Sequence, residues 1–152
     1  MQSTFASPGP DYLSAIGELA FAVSTLEGLL IFDVPRLARA LPVTFTAASL
    51  AGATTTGIGQ RFIDVAGKVT DPGVQRYCAV GGQALREVGT IRNDVLHARP
   101  ATSPDGGQRL YRWIGDAAFF LEDSWMERAI GDVTALAWSV AAVRPSFVDW
   151  PA

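Results

Sequence analysis

Arg92, Asn93 and His97 lie within six residues of one another in the segment "IRNDVLHARP", and His97 is the only histidine of the chain. Together they offer a permanent cation, a neutral amide and an imidazole that changes charge near neutral pH. That set suits phosphate chemistry. Cleaving RNA without a metal requires a base for the 2′-hydroxyl proton, a donor for the leaving oxygen, and cations for the crowded phosphate. Arginine binds phosphate through a two-pronged fork. One histidine does not easily make both proton transfers, whereas a two-fold dimer would bring two histidines and two arginines together.

Asn93 and His97 are four residues apart, so on a helix they share a face. Arg92 and His97 are five apart, about 140° around the axis, and do not share a narrow stripe. A purely structural reading stays open. In it, His97 and Asn93 cap helix-terminal carbonyls, and Arg92 pairs with Asp94, Glu87 or solvent.

The chain carries 12 basic and 15 acidic residues, a net charge of −3, which excludes a generally basic nucleic-acid binder. The distribution is uneven. Arg86, Arg92, Arg99, Arg109 and Arg112 face only Glu87, Asp94 and Asp105 in the same stretch, whereas the remainder from Asp116 onward is acidic. Arg99, Arg109 and Arg112 are therefore candidate RNA-binding residues along the approach to His97. Tyr111 and Trp113 alternate with Arg109 and Arg112, so they either stack on bases or cover a core edge.

With one histidine and one cysteine, a structural metal site is not expected. Cys78 cannot form an internal disulfide and reads as a small core residue. Gly57-x-Gly59 lacks the lysine of a phosphate-binding loop and reads as the loose start of a helix. Glu18 and Glu27 are nine apart and read as rim groups, although one of them could orient His97. No cofactor is expected.

The elements that must position these groups follow from periodicity. At 152 residues, 49% hydrophobic and 18% charged, the chain suits one folded domain rather than disorder. Residues 1–10 read as a loose tail and residues 11–152 as a single domain. Ile16, Leu19, Val23, Leu26 and Leu30 mark a helix from Tyr12 to about Phe32, with Asp11 as its cap. Its apolar run approaches membrane-spanning length, but Glu18 and Glu27 favour a buried core helix. Pro35 then either ends this helix or opens a short turn, "VPRLARAL", before Pro42.

A second helix runs from about Thr55 to Val69. Asp71-Pro72 starts a third, which stops near His97 or Ala98 because Pro100 disfavours helical geometry at Arg99. Its core candidates are Val74, Cys78, Leu85, Val88, Ile91, Val95 and Leu96, and Gly81 and Gly82 could permit close helix packing. Asp105-Gly106-Gly107 then signals a hairpin or long loop. A last helix is expected from about Ala117 to Val143, with Phe120, Ser124, Ala129, Val133, Leu136 and Val140 inward. Phe147 and Trp150 suggest a docked tail. The expected fold class is all-α: an antiparallel bundle of four to five helices, with a short β-hairpin or long loop before the last helix.

"RNDVLH" resembles the motif of the HEPN superfamily of helical domains: an Arg, four to six residues, then His near the end of a core helix. Asn93, directly after the Arg, matches a frequent polar position. The first helix, with "AFAVSTLEGLL", is also similar in pattern, and the run into "HARP" and a short hairpin resembles small stand-alone members. In layout the resemblance covers about Asp11 to Val143. It implies a homodimeric, metal-independent endoribonuclease acting on single-stranded RNA at a composite site. Arg92 and His97 would be catalytic, and Asn93 would orient them. It also implies roles such as toxin or antiviral defence effector, with an antitoxin or regulatory partner. One departure matters: a subgroup controlled by nucleotidylation has Tyr two residues after the histidine, where this chain has Arg99.

The alternative from the same resemblance is a non-catalytic HEPN-like module that binds a nucleotide or a protein. In a third reading the motif is accidental. The N-terminus lacks the pattern of a secretory signal, and a cytoplasmic location with no membrane partner is the expectation.

Overall fold

The longest apolar run of the chain forms helix α1, Pro10–Asp33, in the computed structural model, which describes residues 6–147. Pro10 occupies the first turn and Gly9 is the N-cap, so Asp11 lies inside the helix and is not its cap. Leu19, Val23, Leu26 and Leu30 recur at three- and four-residue steps and are buried. Val34 and Pro35 end the helix, and a 3-10 turn follows at Pro35–Leu37.

Helix α2, Ala47–Ala51, is a single turn closed by a capping box in which Thr46 and Ser49 bond each other's backbone amides. Helix α3 runs Thr55–Ala66 and stops at Gly67, short of the expected Val69. Helix α4 runs Pro72–His97, capped by the Asp71 side chain, which accepts from the Val74 amide at 2.9 Å. Helix α5, Asp123–Ala142, closes the domain against α1 and α4.

α3 and α4 meet backbone to backbone. A Cβ on Gly59 would fall 2.6 Å from the Gly82 carbonyl oxygen, and a Cβ on Gly82 would fall 2.6 Å from that of Gly59. Gly81 likewise makes room for the buried Leu30 of α1. Gly59 is thus a packing residue within a helix, and the glycines of α4 are spent on close approach, as one reading of Gly81 and Gly82 anticipated.

The all-α expectation is overturned by a three-stranded antiparallel sheet in the order β1-β2-β3. Strands β1, Arg99–Thr102, and β2, Gln108–Ile114, form the expected hairpin. Its turn has Gly106 at φ +87°, and Asp105 accepts from Ser103 and from the Gly107 amide. These bonds, Ser103 first, hold the Asp105 carboxyl below its ordinary range.

Strand β3, Ala117–Leu121, occupies residues expected to begin the last helix. Ile114 pairs with Ala117 across Gly115 and Asp116, with Gly115 at φ +58°. Glycine first in a two-residue turn is the arrangement of a II′ hairpin. Beyond it, Phe119 and Leu121 turn to the core while Ala118 and Phe120 turn outward, a period of two that helix-favouring alanines concealed. Phe120 therefore lies in a strand, and α5 starts six residues later than expected. Ser124 is exposed rather than inward.

Two tyrosines fasten the layers. The Tyr12 hydroxyl donates to the Leu121 carbonyl at 2.7 Å and accepts from the Leu110 amide at 3.0 Å, tying the start of α1 to the sheet. At the other end of α1, buried Asp33 accepts from the Tyr77 hydroxyl at 2.6 Å and from two nitrogens of Arg144, each at 2.7 Å. Phe147 lies beneath the guanidinium groups of Arg36 and Arg144, so this part of the expected tail is docked. Trp150 lies outside the described residues.

The segment Pro10–Leu37 is long and apolar enough to cross a membrane by length and composition, yet one face of it packs into the domain. The buried-core expectation for this helix holds for that face only. Phe21 and Phe32 are 76% and 77% exposed, and Trp138 of α5 is 73% exposed.

Candidate functional site

The site is built on the last two turns of α4. Pro100 holds the preceding backbone out of helical geometry, and Ala98, the C-cap, is already extended at φ −77° and ψ 157°. His97 is therefore the final helical residue, and the chain passes through Ala98 directly into β1.

Arg92, Asn93 and His97 thus occupy one end of one helix. Asn93 and His97 are exposed, and Arg92 is half-buried. Arg92 opens onto a cavity of about 250 Å³ between α1 and α4, walled by Leu19, Val23, Val95 and Leu96, with Ser24 as the other polar neighbour. Leu96, expected in the core, is 59% exposed at this rim. Among the described residues, none of the three motif side chains has a hydrogen-bond or ion-pair partner.

The alternative partners are engaged elsewhere. Asp94 Oδ1 lies 3.2 Å from Arg112 Nε, and Glu87 accepts from Gln83 at 3.2 Å. Of the two candidate orienting carboxylates, Glu27 accepts from the buried Thr55 hydroxyl. Glu18 lines a different cavity with Arg109 and Asp123. Neither bonds His97.

The three outer arginines have different fates. Arg99 is exposed at the start of β1, with no ion-pair partner among the described residues. Arg109 is 15% exposed, pairs with Asp123 at 3.1 Å, and lies 4.8 Å over the Tyr12 ring. It borders a cavity of about 520 Å³ whose other charged walls are Asp11, Glu18, Asp123 and Glu127, a setting that repels phosphate. Arg112 is turned toward α4 by Asp94. Only Arg99 of the three is presented as an uncommitted cation.

Sequence reasoning missed the cluster of buried Asp33 and Tyr77 with Arg144, whose members lie far apart along the chain. Burial and the bond to Asp33 push the Tyr77 hydroxyl well above its ordinary value, and Asp33 raises that of Arg144. This cluster is a structural clamp. Cys78 is fully buried, and desolvation pushes its thiol up to about 11, which fits a core residue rather than a nucleophile.

Among the described residues, no group of three or more His, Cys, Asp or Glu side chains is placed to hold a metal ion. Comparison with family models, with curated proteins and with solved structures found no match.

Proposed function

We propose that the chain is a metal-independent endoribonuclease of HEPN type, acting on single-stranded RNA as a homodimer. The observation that carries this reading is the uncommitted state of Arg92 and His97 at the end of α4, while Asp94 between them is held by Arg112. A purely packing role would give the histidine or the arginine a partner or bury it.

In the proposed mechanism, Arg92 neutralises the scissile phosphate and His97 takes or returns the proton. Asn93 shares the His97 face and orients the catalytic pair. The side chains diverge by about 140° on one helix, so one protomer does not close the site. A second copy supplies the facing pair. The outward side of α1 supports such pairing: apart from Glu18, its exposed residues from Leu13 to Phe32 carry no charge, and exposed apolar faces of this kind mark interaction surfaces. The proposed setting is the cytoplasm, where a toxin or defence role suits the activity.

The test is cleavage of mixed single-stranded RNAs by purified protein in EDTA. Wild type cuts and leaves cyclic-phosphate ends. His97→Ala and Arg92→Ala lower the rate about 100-fold or more while melting like wild type. Intact RNA under all conditions, or His97→Ala that lowers the melting temperature instead of the rate, leaves the non-catalytic module as the better reading.

A further inference from the structure

Three-stranded pairing sorts the residues between His97 and α5 onto two faces. Leu110, Phe119 and Leu121 face the helices and pack into the core. Arg99 pairs with Tyr111 and Tyr111 with Phe120 in register, so these three share the opposite face, and Trp113 follows two residues along the same strand. Tyr111 does not cover a core edge. Its ring lies 4.6 Å from Phe120 and 4.5 Å from Trp113, at 52° and 88°. Tyr111 is thereby braced from both sides, and Trp113, 52% exposed, presents its ring to solvent.

We propose that this outward face is a stacking platform for unpaired bases of single-stranded RNA, with Arg99 holding the adjoining phosphate. The proposal deepens the nuclease reading and rests on its assignment of RNA as the substrate. Three features favour a nucleic acid over a protein partner. Exposed aromatic rings stack on any base, whatever the sequence. Arg99 is the uncommitted cation of the sheet and sits directly across from Tyr111, at a distance of about 5 Å between side-chain roots. No strand residue on this face is acidic; Ala101, Ala118 and Arg109, which Asp123 holds, fill the remaining positions, and Asp116 lies in the turn beyond the strands. The platform is also continuous with the catalytic segment, since only Ala98 separates His97 from Arg99. RNA stacked there is led toward the end of α4.

The experiment measures binding of fluorescein-labelled twelve-nucleotide oligo-U and oligo-A RNA by polarisation, using the full chain with His97→Ala so that the probe stays whole. In that background Trp113→Ala weakens binding of both probes about ten-fold, and Tyr111→Ala does the same by removing the brace. Arg99→Gln weakens it and flattens its salt dependence. Trp138→Ala, which removes a still more exposed aromatic on α5, leaves it unchanged. A duplex RNA of equal length binds no better after any of these changes.

Unchanged affinity in Trp113→Ala overturns the platform, as does absence of RNA binding by the parent chain. A Trp113→Ala effect confined to oligomeric state, with RNA affinity intact, overturns it in favour of a protein contact. The two readings fail separately. If wild type never cuts RNA but platform variants lose binding, the platform stands and the nuclease falls. If wild type cuts and the variants bind normally, the reverse holds.

Discussion

Arg112 Nε lies 3.2 Å from Asp94 Oδ1, a bond that ties the central strand β2 to the last turns of α4. Both side chains are largely buried, at 19% and 16% exposure, so the pair is shielded from solvent more than a surface ion pair.

Arg112→Ala is therefore expected to act on stability first. Loss of the charged hydrogen bond costs about 2 kcal/mol, read as a lower urea midpoint. Arg99→Ala, at an exposed site, leaves the stability within about 0.5 kcal/mol of wild type. RNA affinity follows the opposite order, with Arg99→Ala the more damaging. Equal stability of the two variants would contradict the structural role given to Arg112.

Self-association is expected to depend on Phe21 and Phe32, whose rings stand on the outward face of α1. Phe21→Glu combined with Phe32→Glu places two like charges on each facing surface. Sedimentation should show a shift from dimer to monomer, with an unchanged far-ultraviolet circular dichroism spectrum. A dimer that survives the double substitution would mean that the copies pair through another surface.

The glycines of the helices separate into two kinds. Gly82→Ala drives a methyl group into the backbone of α3 and is expected to destabilise the domain by about 2 kcal/mol, despite the better helix propensity of alanine. Gly131→Ala in α5 meets nothing within 4 Å and is expected to stabilise by about 0.5 kcal/mol. Thermal melts of the two variants check both signs.

Alkaline pH is expected to weaken the fold. Burial raises Tyr77, Cys78 and Tyr12 above their ordinary values, which begin at 9.0 for the thiol and 10.0 for the phenols. The folded state keeps these protons after the unfolded chain has released them. Their contribution is whole below about pH 9 and declines as pH rises through the folded value of the thiol, about 11, and beyond. Melting temperatures between pH 8 and pH 11 should fall, and the fall should be shallower in Tyr77→Phe. A flat profile would contradict the burial of these groups.

Much of the helical frame was legible in the sequence because caps and periodicity act locally. Asp71-Pro72 and Pro100 bracket α4 correctly, and the Asp-Gly-Gly turn marks the first hairpin. Strand β3 was hidden because "AAFFL" is a short, unbroken apolar run with no polar alternation and abuts a true helix, so its alanines were absorbed into α5. The candidate site was legible only as a set of residue types at one helix end. What each charge is paired with was not, because Asp94–Arg112 and Arg109–Asp123 join residues 18 and 14 positions apart. Asp33 and Arg144, 111 positions apart, meet only once the whole domain has closed.

Helix α1 is pinned near its first residues by Tyr12 and at its last by Asp33. A rod fastened at both tips has little freedom left to lose when a second molecule lands on its outer side. Docking there immobilises few loops or rotamers, and the main entropic cost is that of bringing two rigid bodies together.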